Sequence, residues 1–142
     1  VINFDNLPGI TGIFGKNAKG KSSIIGALVY GLFNTTDRGP IKNVHIINSR
    51  KNMCETSINF SMNGKNLCLK RKTIKKQTKK GDVYGTTSLS LLEVDESGNP
   101  VTDLSGEQRR DTEKIVRDII GTPEDFLMTS LASQGQMNTF IR

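Results

Sequence analysis

Residues 15–23, "GKNAKGKSS", decide the fold that the rest of the chain can adopt. Two glycines bracket four residues, and Lys21 and Ser22 follow the second glycine. At this spacing the backbone N–H groups of a loop point at a phosphate, the lysine ammonium binds the β- and γ-phosphates, and the hydroxyl binds Mg²⁺. The segment therefore predicts a site for a nucleoside triphosphate with Mg²⁺.

The sequence on either side fits a phosphate-binding loop, which follows a strand and opens a helix whose dipole favours anions. Apolar runs over residues 1–4 and 10–14 predict two strands separated by a turn at Pro8-Gly9. After the loop, apolar residues at helical spacing predict a long helix. They are Ile24, Ile25, Leu28, Val29, Leu32 and Phe33. Gly26 and Gly31 within this helix indicate that another element packs close to it.

The middle of the chain has the pattern of an antiparallel sheet. Residues 58–62 and 67–71 flank Asn63-Gly64, a pair that tolerates the positive φ angles of a tight hairpin turn. Residues 86–94, "TTSLSLLEV", predict a third strand that ends at the turn sequence "DESGNP". The basic segment between the second and third strands is predicted to be a loop.

Two helices are predicted after the sheet. Ser105 is expected to begin the first, with Gln108 as its capping-box partner, and Gly121 to end it. The apolar stripe of this helix comprises Ile115, Val116, Ile119 and Ile120. Thr122 is expected to cap a second, short helix that has Pro123 at its first position. A short strand and a Gln-Gly turn are predicted in the last residues, "SLASQGQMNTFIR".

Composition indicates an intracellular protein and argues against a membrane protein. No run approaches the roughly 18 apolar residues of a membrane span, and the first residues lack the features of a secretory signal. Cys54 and Cys68 do not have the spacing of metal ligands, so two reduced, partly buried thiols are expected. His45 is the only histidine, and a structural role is expected for it.

The net charge of +6 comes from one stretch. Seven basic residues with no acid between them lie in it: Lys70, Arg71, Lys72, Lys75, Lys76, Lys79 and Lys80. A localised basic segment favours a polyanion as ligand, so Lys75, Lys76, Lys79 and Lys80 are candidates for sequence-independent contact with DNA phosphates. The alternative is a solvated loop whose lysines oppose aggregation. Tyr84 is the one aromatic residue nearby, which is too few for a base-stacking surface.

Three segments carry a resemblance to a known family. "LPGITGIFGKNAKGKSSIIGALVYGLF", with Asn17 in the third position of the loop, resembles the start of the head domains of the SbcC family. These are the ATPase subunits of the double-strand-break repair nuclease complex. "ASQGQMNTFI" resembles the Q-loop of these ATPases. "IINSRKNMCETSINFSMNGKNLCLKR" is similar to the family's antiparallel hairpin, in particular that of phage recombination nucleases.

The resemblance implies a fold and a set of site residues. The fold is an α/β P-loop NTPase, the N-terminal lobe of an ABC-type ATPase head, with a mixed core sheet and an antiparallel β flank. The nucleotide-binding residues would be Gly15, Lys16, Asn17, Ala18, Lys19, Gly20, Lys21, Ser22 and Ser23. Lys21 and Gln134 would be catalytic, and Ser22 and Gln134 would contact Mg²⁺. Ala18 stands where the family usually has glycine, and alanine is costly there if the position requires a positive φ angle.

Hydrolysis also needs an acidic group on Mg²⁺, and no suitable strand follows Gln134. The family places its acidic strand and signature loop after a long coiled coil, and no sustained heptads occur here. Residues 1–142 are therefore expected to be the N-terminal half of a head that alone hydrolyses almost no ATP. The expected partners are the C-terminal half-head of the same protein, a second copy bridged by ATP, a nuclease subunit and double-stranded DNA.

Three alternatives share the phosphate loop. A chromosome-tethering ATPase of the structural-maintenance type would have the same loop and Gln segment, but the hairpin favours the repair class. A small-molecule kinase would need a lid arginine, and Arg109, Arg110 and Arg117 have the spacing of a solvated helix face. In a transporter ATPase the Gln segment usually follows the loop sooner.

Overall fold

The computed structural model describes residues 1–7, 9–17, 19–36 and 42–130. The helices are α1 (Lys21–Phe33), α2 (Arg109–Ile120) and α3 (Pro123–Thr129), and the strands are β1 (Met53–Met62), β2 (Lys65–Gln77), β3 (Val83–Val94) and β4 (Pro100–Asp103). Two short 3-10 turns lie at Phe4–Asn6 and Asn43–His45. The strands form an antiparallel sheet in the order β1-β2-β3-β4. The described part of the chain is therefore an α/β structure.

The predicted hairpin is confirmed, and its strands are longer than the sequence pattern indicated. Asn63 and Gly64 have φ angles of 52° and 74°, which is the left-handed region that a two-residue hairpin turn requires. The pairing runs from Met62 opposite Lys65 to Met53 opposite Ile74. The Asn-Gly turn thus sets the register of ten pairs of residues.

The predicted third strand is also confirmed, and a fourth strand follows it. β3 pairs with β2 along its whole length, and the turn after it is closed by Asp95, whose carboxylate accepts a hydrogen bond of 2.8 Å from the backbone N–H of Asn99. β4 pairs Asp103 with Leu92. The sequence did not reveal β4, because its four residues are all exposed and have no apolar alternation.

One face of the sheet carries the core and the helices. The buried cluster comprises Leu32, Leu67, Leu69, Leu89, Leu91 and Val116. A Cβ at Gly31 would lie 2.6 Å from Cδ1 of Ile58 and 2.9 Å from Oγ1 of Thr56 on β1, so a larger residue would require these side chains or α1 to shift. The predicted close packing at Gly31 is therefore confirmed.

The helices after the sheet match the prediction except at the start of α2. The N-cap of α2 is Gln108, whose capping-box partner is Asp111, and not Ser105. Ser105 instead accepts a hydrogen bond of 3.0 Å from the backbone N–H of Leu91, which ties the segment after β4 to the sheet. Gly121 ends α2 as predicted. Thr122 caps α3, and Pro123 is its first residue, as predicted.

The two strands predicted before the phosphate loop are wrong. Phe4–Asn6 forms a 3-10 turn, and residues 10–14 form no strand. Ile10 and Phe14 have relative exposures of 104% and 93%. An apolar run becomes a strand only where a neighbouring strand supplies hydrogen bonds, and within residues 1–130 as described the sheet consists of β1–β4. The expected mixed core sheet is thus not formed by the described residues, and the strand predicted near the C-terminus lies outside them.

None of the described helices combines the length and the apolar character that crossing a bilayer requires.

Candidate functional site

The phosphate loop, defined here as residues 15–23, leads directly into α1. Gly20 is the N-cap of α1 and has a φ angle of 83°. The nearest atom to a Cβ built at Gly20 would be Oγ of Ser23, 3.8 Å away, so space is available for a side chain. The conformation is what requires glycine, because an L-residue is strained at this positive φ.

Lys21 folds back over the loop from the first position of α1. Its Nζ donates hydrogen bonds of 2.6 Å to the carbonyl oxygen of Gly15 and 2.9 Å to that of Lys16. An ammonium group has three donors, so this arrangement leaves one of them free of these two carbonyls. The geometry places the positive charge of Lys21 inside the loop, at the N-terminal end of α1, which is the positive end of the helix dipole.

The start of α1 has the properties of an anion site. Gly20 has no side chain to cap the helix, and the first turn carries no acidic residue. The residues around the turn are exposed, including Ser22 and Ser23. The ammonium of Lys21 and the exposed hydroxyls of Ser22 and Ser23 therefore lie together at the start of the helix, a donor set that fits a phosphate chain.

The loop also fits an Mg²⁺ ion whose ligands are mainly phosphate oxygens. Across the described ranges, no group of three or more His, Cys, Asp or Glu side chains could hold a metal ion. Mg²⁺ commonly keeps water and phosphate oxygens as ligands and takes only one or two from the protein, and the exposed hydroxyl of Ser22 can supply one. Lys16, Asn17 and Lys19 are exposed in the loop. Ala18 and Gln134 lie outside the described residues.

The basic segment is not the loop that the sequence predicted. β2 extends to Gln77, and only Lys79 and Lys80 lie in the turn that leads to β3. The prediction failed because residues 83–85 extend β3 and pair with residues 75–77, which lengthens both strands. The lysines of β2 therefore have the alternating orientation of strand residues.

This alternation divides the basic residues between two faces of the sheet. Lys70, Lys72 and Lys76 lie on the outer face, defined here as the face opposite α1 and α2, where they pair with Ser90, Ser88 and Tyr84 of β3. On the inner face, Nζ of Lys75 donates a hydrogen bond of 3.2 Å to the carbonyl of Asn48. Lys75 is thus separated from the other lysines with which the sequence grouped it.

Arg71 is fully buried on the inner face, with a relative exposure of 0%. Its Nε donates to the carbonyl of Gly31 at 3.0 Å, its Nη2 to that of Leu32 at 3.3 Å, and its Nη1 pairs with Oε1 of Glu113 at 3.2 Å. Burial lowers the pKa of Arg71 from its ordinary value, and the hydrogen bond and charge of Glu113 oppose that shift. The sequence places Arg71 in the same basic stretch as the candidate DNA-binding lysines, although it shares strand parity with Leu67 and Leu69, which would have revealed its burial.

A buried chain of hydroxyls lies beside Arg71 and also joins α1 to the sheet. The hydroxyl of Tyr30 on α1 forms a hydrogen bond with Oγ1 of Thr73, which forms another of 2.6 Å with Oγ1 of Thr87. Nδ2 of Asn43 donates to Oγ1 of Thr87 at 2.6 Å. Burial is the main reason that the pKa of Tyr30 is raised, so the phenol stays neutral and available as a hydrogen-bond partner.

The thiols match the prediction. Cys54 and Cys68 are both free, and they are half-buried and buried. His45 is exposed at the end of its 3-10 turn. None of these side chains lies in the phosphate loop.

Comparison with known proteins gives a consistent result. The family described as AAA domain matches residues 1–136. The DNA double-strand break repair Rad50 ATPase of Sulfolobus acidocaldarius is 29% identical over 128 residues, which are 89% of this chain and 13% of that protein. The SbcC component of nuclease SbcCD from Clostridium acetobutylicum is 29% identical over 145 residues, 99% of this chain and 12% of that protein. An uncharacterized protein, R555, of Acanthamoeba polyphaga mimivirus is 24% identical over 143 residues, 99% of this chain and 10% of that protein.

The predicted resemblance to the SbcC family is confirmed by these relatives. The chain spans between 10% and 13% of the length of the curated relatives it matches.

Proposed function

The chain belongs to the AAA domain family, and from this membership we propose that it is the nucleotide-binding part of a DNA-repair ATPase. The observation that carries the proposal is the position of Lys21, whose ammonium lies inside the loop at the uncapped start of α1. The names of two relatives support the repair class over the chromosome-tethering and kinase alternatives.

The loop residues would hold ATP and Mg²⁺ in separate roles. Lys21 would exchange the carbonyls of Gly15 and Lys16 for phosphate oxygens, and the hydroxyl of Ser22 would bind Mg²⁺. Each hydrogen bond to a charged phosphate contributes on the order of 1.5–3 kcal/mol. ATP supplies the bond to be hydrolysed, and Gln134 is proposed to contact Mg²⁺ and orient water. The remaining site residues of the proposal are Gly15, Lys16, Asn17, Ala18, Lys19, Gly20 and Ser23.

We further propose that residues 1–142 form the N-terminal half of an ATPase head. Ile10, Ile13 and Phe14 are exposed beside the phosphate loop, and the buried residues of α1 all lie in its last turns. A protein rarely leaves such an apolar stretch uncovered, so it fits the remainder of a head domain in the same polypeptide. The second copy bridged by ATP and the nuclease subunit are proposed as further partners.

The nucleotide site is tested in the full-length protein by calorimetric titration with Mg–ATP. Lys21→Ala is expected to weaken binding at least about tenfold, because about 1.4 kcal/mol or more of charge-assisted hydrogen bonding is lost. Lys114→Ala, which removes an exposed lysine from α2, is the matched control and should leave the affinity unchanged. Equal affinity of the Lys21→Ala variant and the wild type would contradict the proposal.

The outer face of the sheet is proposed as a contact surface for double-stranded DNA. Lys70 and Lys76 are exposed there, Lys72 is half-exposed, and the neighbouring positions of β3 carry the hydroxyls of Ser88 and Ser90. Lysines and hydroxyls are the groups that bind phosphate oxygens without reading base sequence. The exposed lysines of the adjacent turn, Lys79 and Lys80, extend this surface. Lys75 lies on the inner face and is not part of the proposed surface.

A further inference from the structure

Helix α1 is held at the end opposite to the phosphate loop. The last carbonyl oxygens of a helix have no partner within the helix and need one from elsewhere. Arg71 supplies donors to two of them, those of Gly31 and Leu32. Its charge also complements the negative end of the helix dipole. Arg71, together with the hydrogen bond between Tyr30 and Thr73, therefore holds the C-terminal end of the helix that begins with Lys21.

We propose that Arg71 is a positioning residue for the phosphate loop, acting through α1. The inference rests on the proposed function, because it states what holds the nucleotide site in place. The 13 residues of α1 make a rod about 20 Å long, and a helix transmits a displacement of one end to the other. The orientation of the rod is set where it is buried, and its buried residues are Val29, Tyr30, Gly31 and Leu32.

The contacts of Arg71 with its neighbours are directional, unlike those of an apolar side chain that only fills the core. A planar guanidinium can direct separate N–H groups to two carbonyls and a carboxylate, and here its Cζ also lies 5.9 Å from the centre of the Tyr30 ring. The two directional contacts with carbonyls of α1 restrict rotation of this helix about its axis, which apolar packing alone restricts less.

The third contact ties the same point to α2. Oε1 of Glu113 accepts from Arg71 and also lies 3.4 Å from Nε of Arg109, one helical turn away. The side chain of Glu113 is 23% exposed, so the carboxylate bridges the buried guanidinium and the surface of α2. Arg71 thus joins α1, β2 and α2 at one point.

The test uses Arg71→Lys in the full-length protein. Lysine keeps the positive charge, but its compact ammonium cannot reproduce the forked contacts with two carbonyls and a carboxylate. We expect the affinity for Mg–ATP to fall about tenfold, and the backbone amides of residues 21–23 to exchange hydrogen faster in the absence of nucleotide. Val116→Ala is the control. Val116 is buried on α2 in the same core, so truncating it destabilises the fold, but its side chain makes no hydrogen bond to the carbonyls of α1. It should change the affinity less than about twofold.

The outcomes separate the positioning role from the proposed function. If Arg71→Lys and Val116→Ala weaken Mg–ATP binding equally for the same loss of melting temperature, Arg71 is only structural and the positioning role is overturned. If the wild type binds Mg–ATP and Arg71→Lys binds it equally well, the positioning role fails while the proposed function stands. If the wild type itself does not bind Mg–ATP, both fail.

Discussion

The two faces of β2 are built from the same run of residues and have opposite properties. On the inner face Leu67, Leu69 and Arg71 are buried against the helices. On the outer face Lys70 and Lys76 are exposed to solvent. Because strand residues alternate between faces, one stretch both completes the core and presents a charged surface. The net charge of this stretch therefore does not show that its basic side chains lie on two faces of the sheet. That division follows only once the stretch is known to be a strand.

The largest expected effect comes from the inner face. Leu69→Ala removes a side chain with a relative exposure of 1% and should destabilise the fold by about 2–5 kcal/mol. Native-state hydrogen exchange of the β2 amides in the full-length protein measures this loss. Ile74→Ala on the outer face is the control, since Ile74 is 40% exposed and should cost far less. Similar losses for both variants would show that the two faces are equally important to stability.

Much of the sheet could be predicted from local signals, and the reasons differ from element to element. Asn63-Gly64 fixes the hairpin because few residue pairs adopt its positive φ angles, and Thr122 with Pro123 marks the start of α3 in the same local way. The length of β2 could not be predicted, since residues 72–74 gain strand structure from pairing with both β1 and β3, and residues 75–77 gain it from pairing with β3. The strand propensity of the single residues does not include the stabilisation that comes from pairing with neighbouring strands.

The candidate site shows the same limit. The residue types and spacing around Lys21 are a local pattern, and the structure places Lys21 at the start of α1 as the pattern requires. The contact between Arg71 and the far end of α1 joins residues 40 apart in sequence, and no periodicity of either segment indicates it. The runs at residues 1–4 and 10–14 failed as strands for the complementary reason that pairing partners are not among the described residues.

An intermediate effect is expected from the outer face, and it should appear in DNA binding rather than in stability. Replacing Lys70, Lys72 and Lys76 together by Gln should reduce the salt dependence of duplex binding, lowering the slope of log K against log salt by about 2–3, because each lost phosphate contact removes about 0.9. Fluorescence anisotropy with the full-length protein over a salt series measures the slope. The control replaces Lys65, Lys75 and Lys114, which lie on the inner side of the sheet or on α2.

Both triple variants lose the same three charges, so a general electrostatic effect would reduce the two slopes equally. A reduced slope for the outer-face variant alone would instead place the DNA contact on the outer face of the sheet.

The smallest expected effect concerns the carboxylate on the outer face. Oε2 of Glu55 lies 3.8 Å from Nζ of Lys72, and both side chains are about half-exposed, at 45% and 40%. Because an exposed ion pair contributes about 0–1 kcal/mol, Glu55→Gln should hardly change stability. It should instead raise duplex affinity slightly at low salt, since a negative charge is removed from a surface proposed to bind phosphate.

Glu93→Gln is the matched control for this change. Glu93 lies on β3 opposite Leu67, and its carboxylate pairs with Lys65 at 2.7 Å. The variant removes the same charge at an inner-face position, so its duplex affinity should stay at the wild-type value in the same anisotropy titration. Equal gains in affinity for Glu55→Gln and Glu93→Gln would mean that DNA responds to the total charge of the chain. A gain for Glu55→Gln alone would locate the DNA on the face that carries Lys70, Lys72 and Lys76.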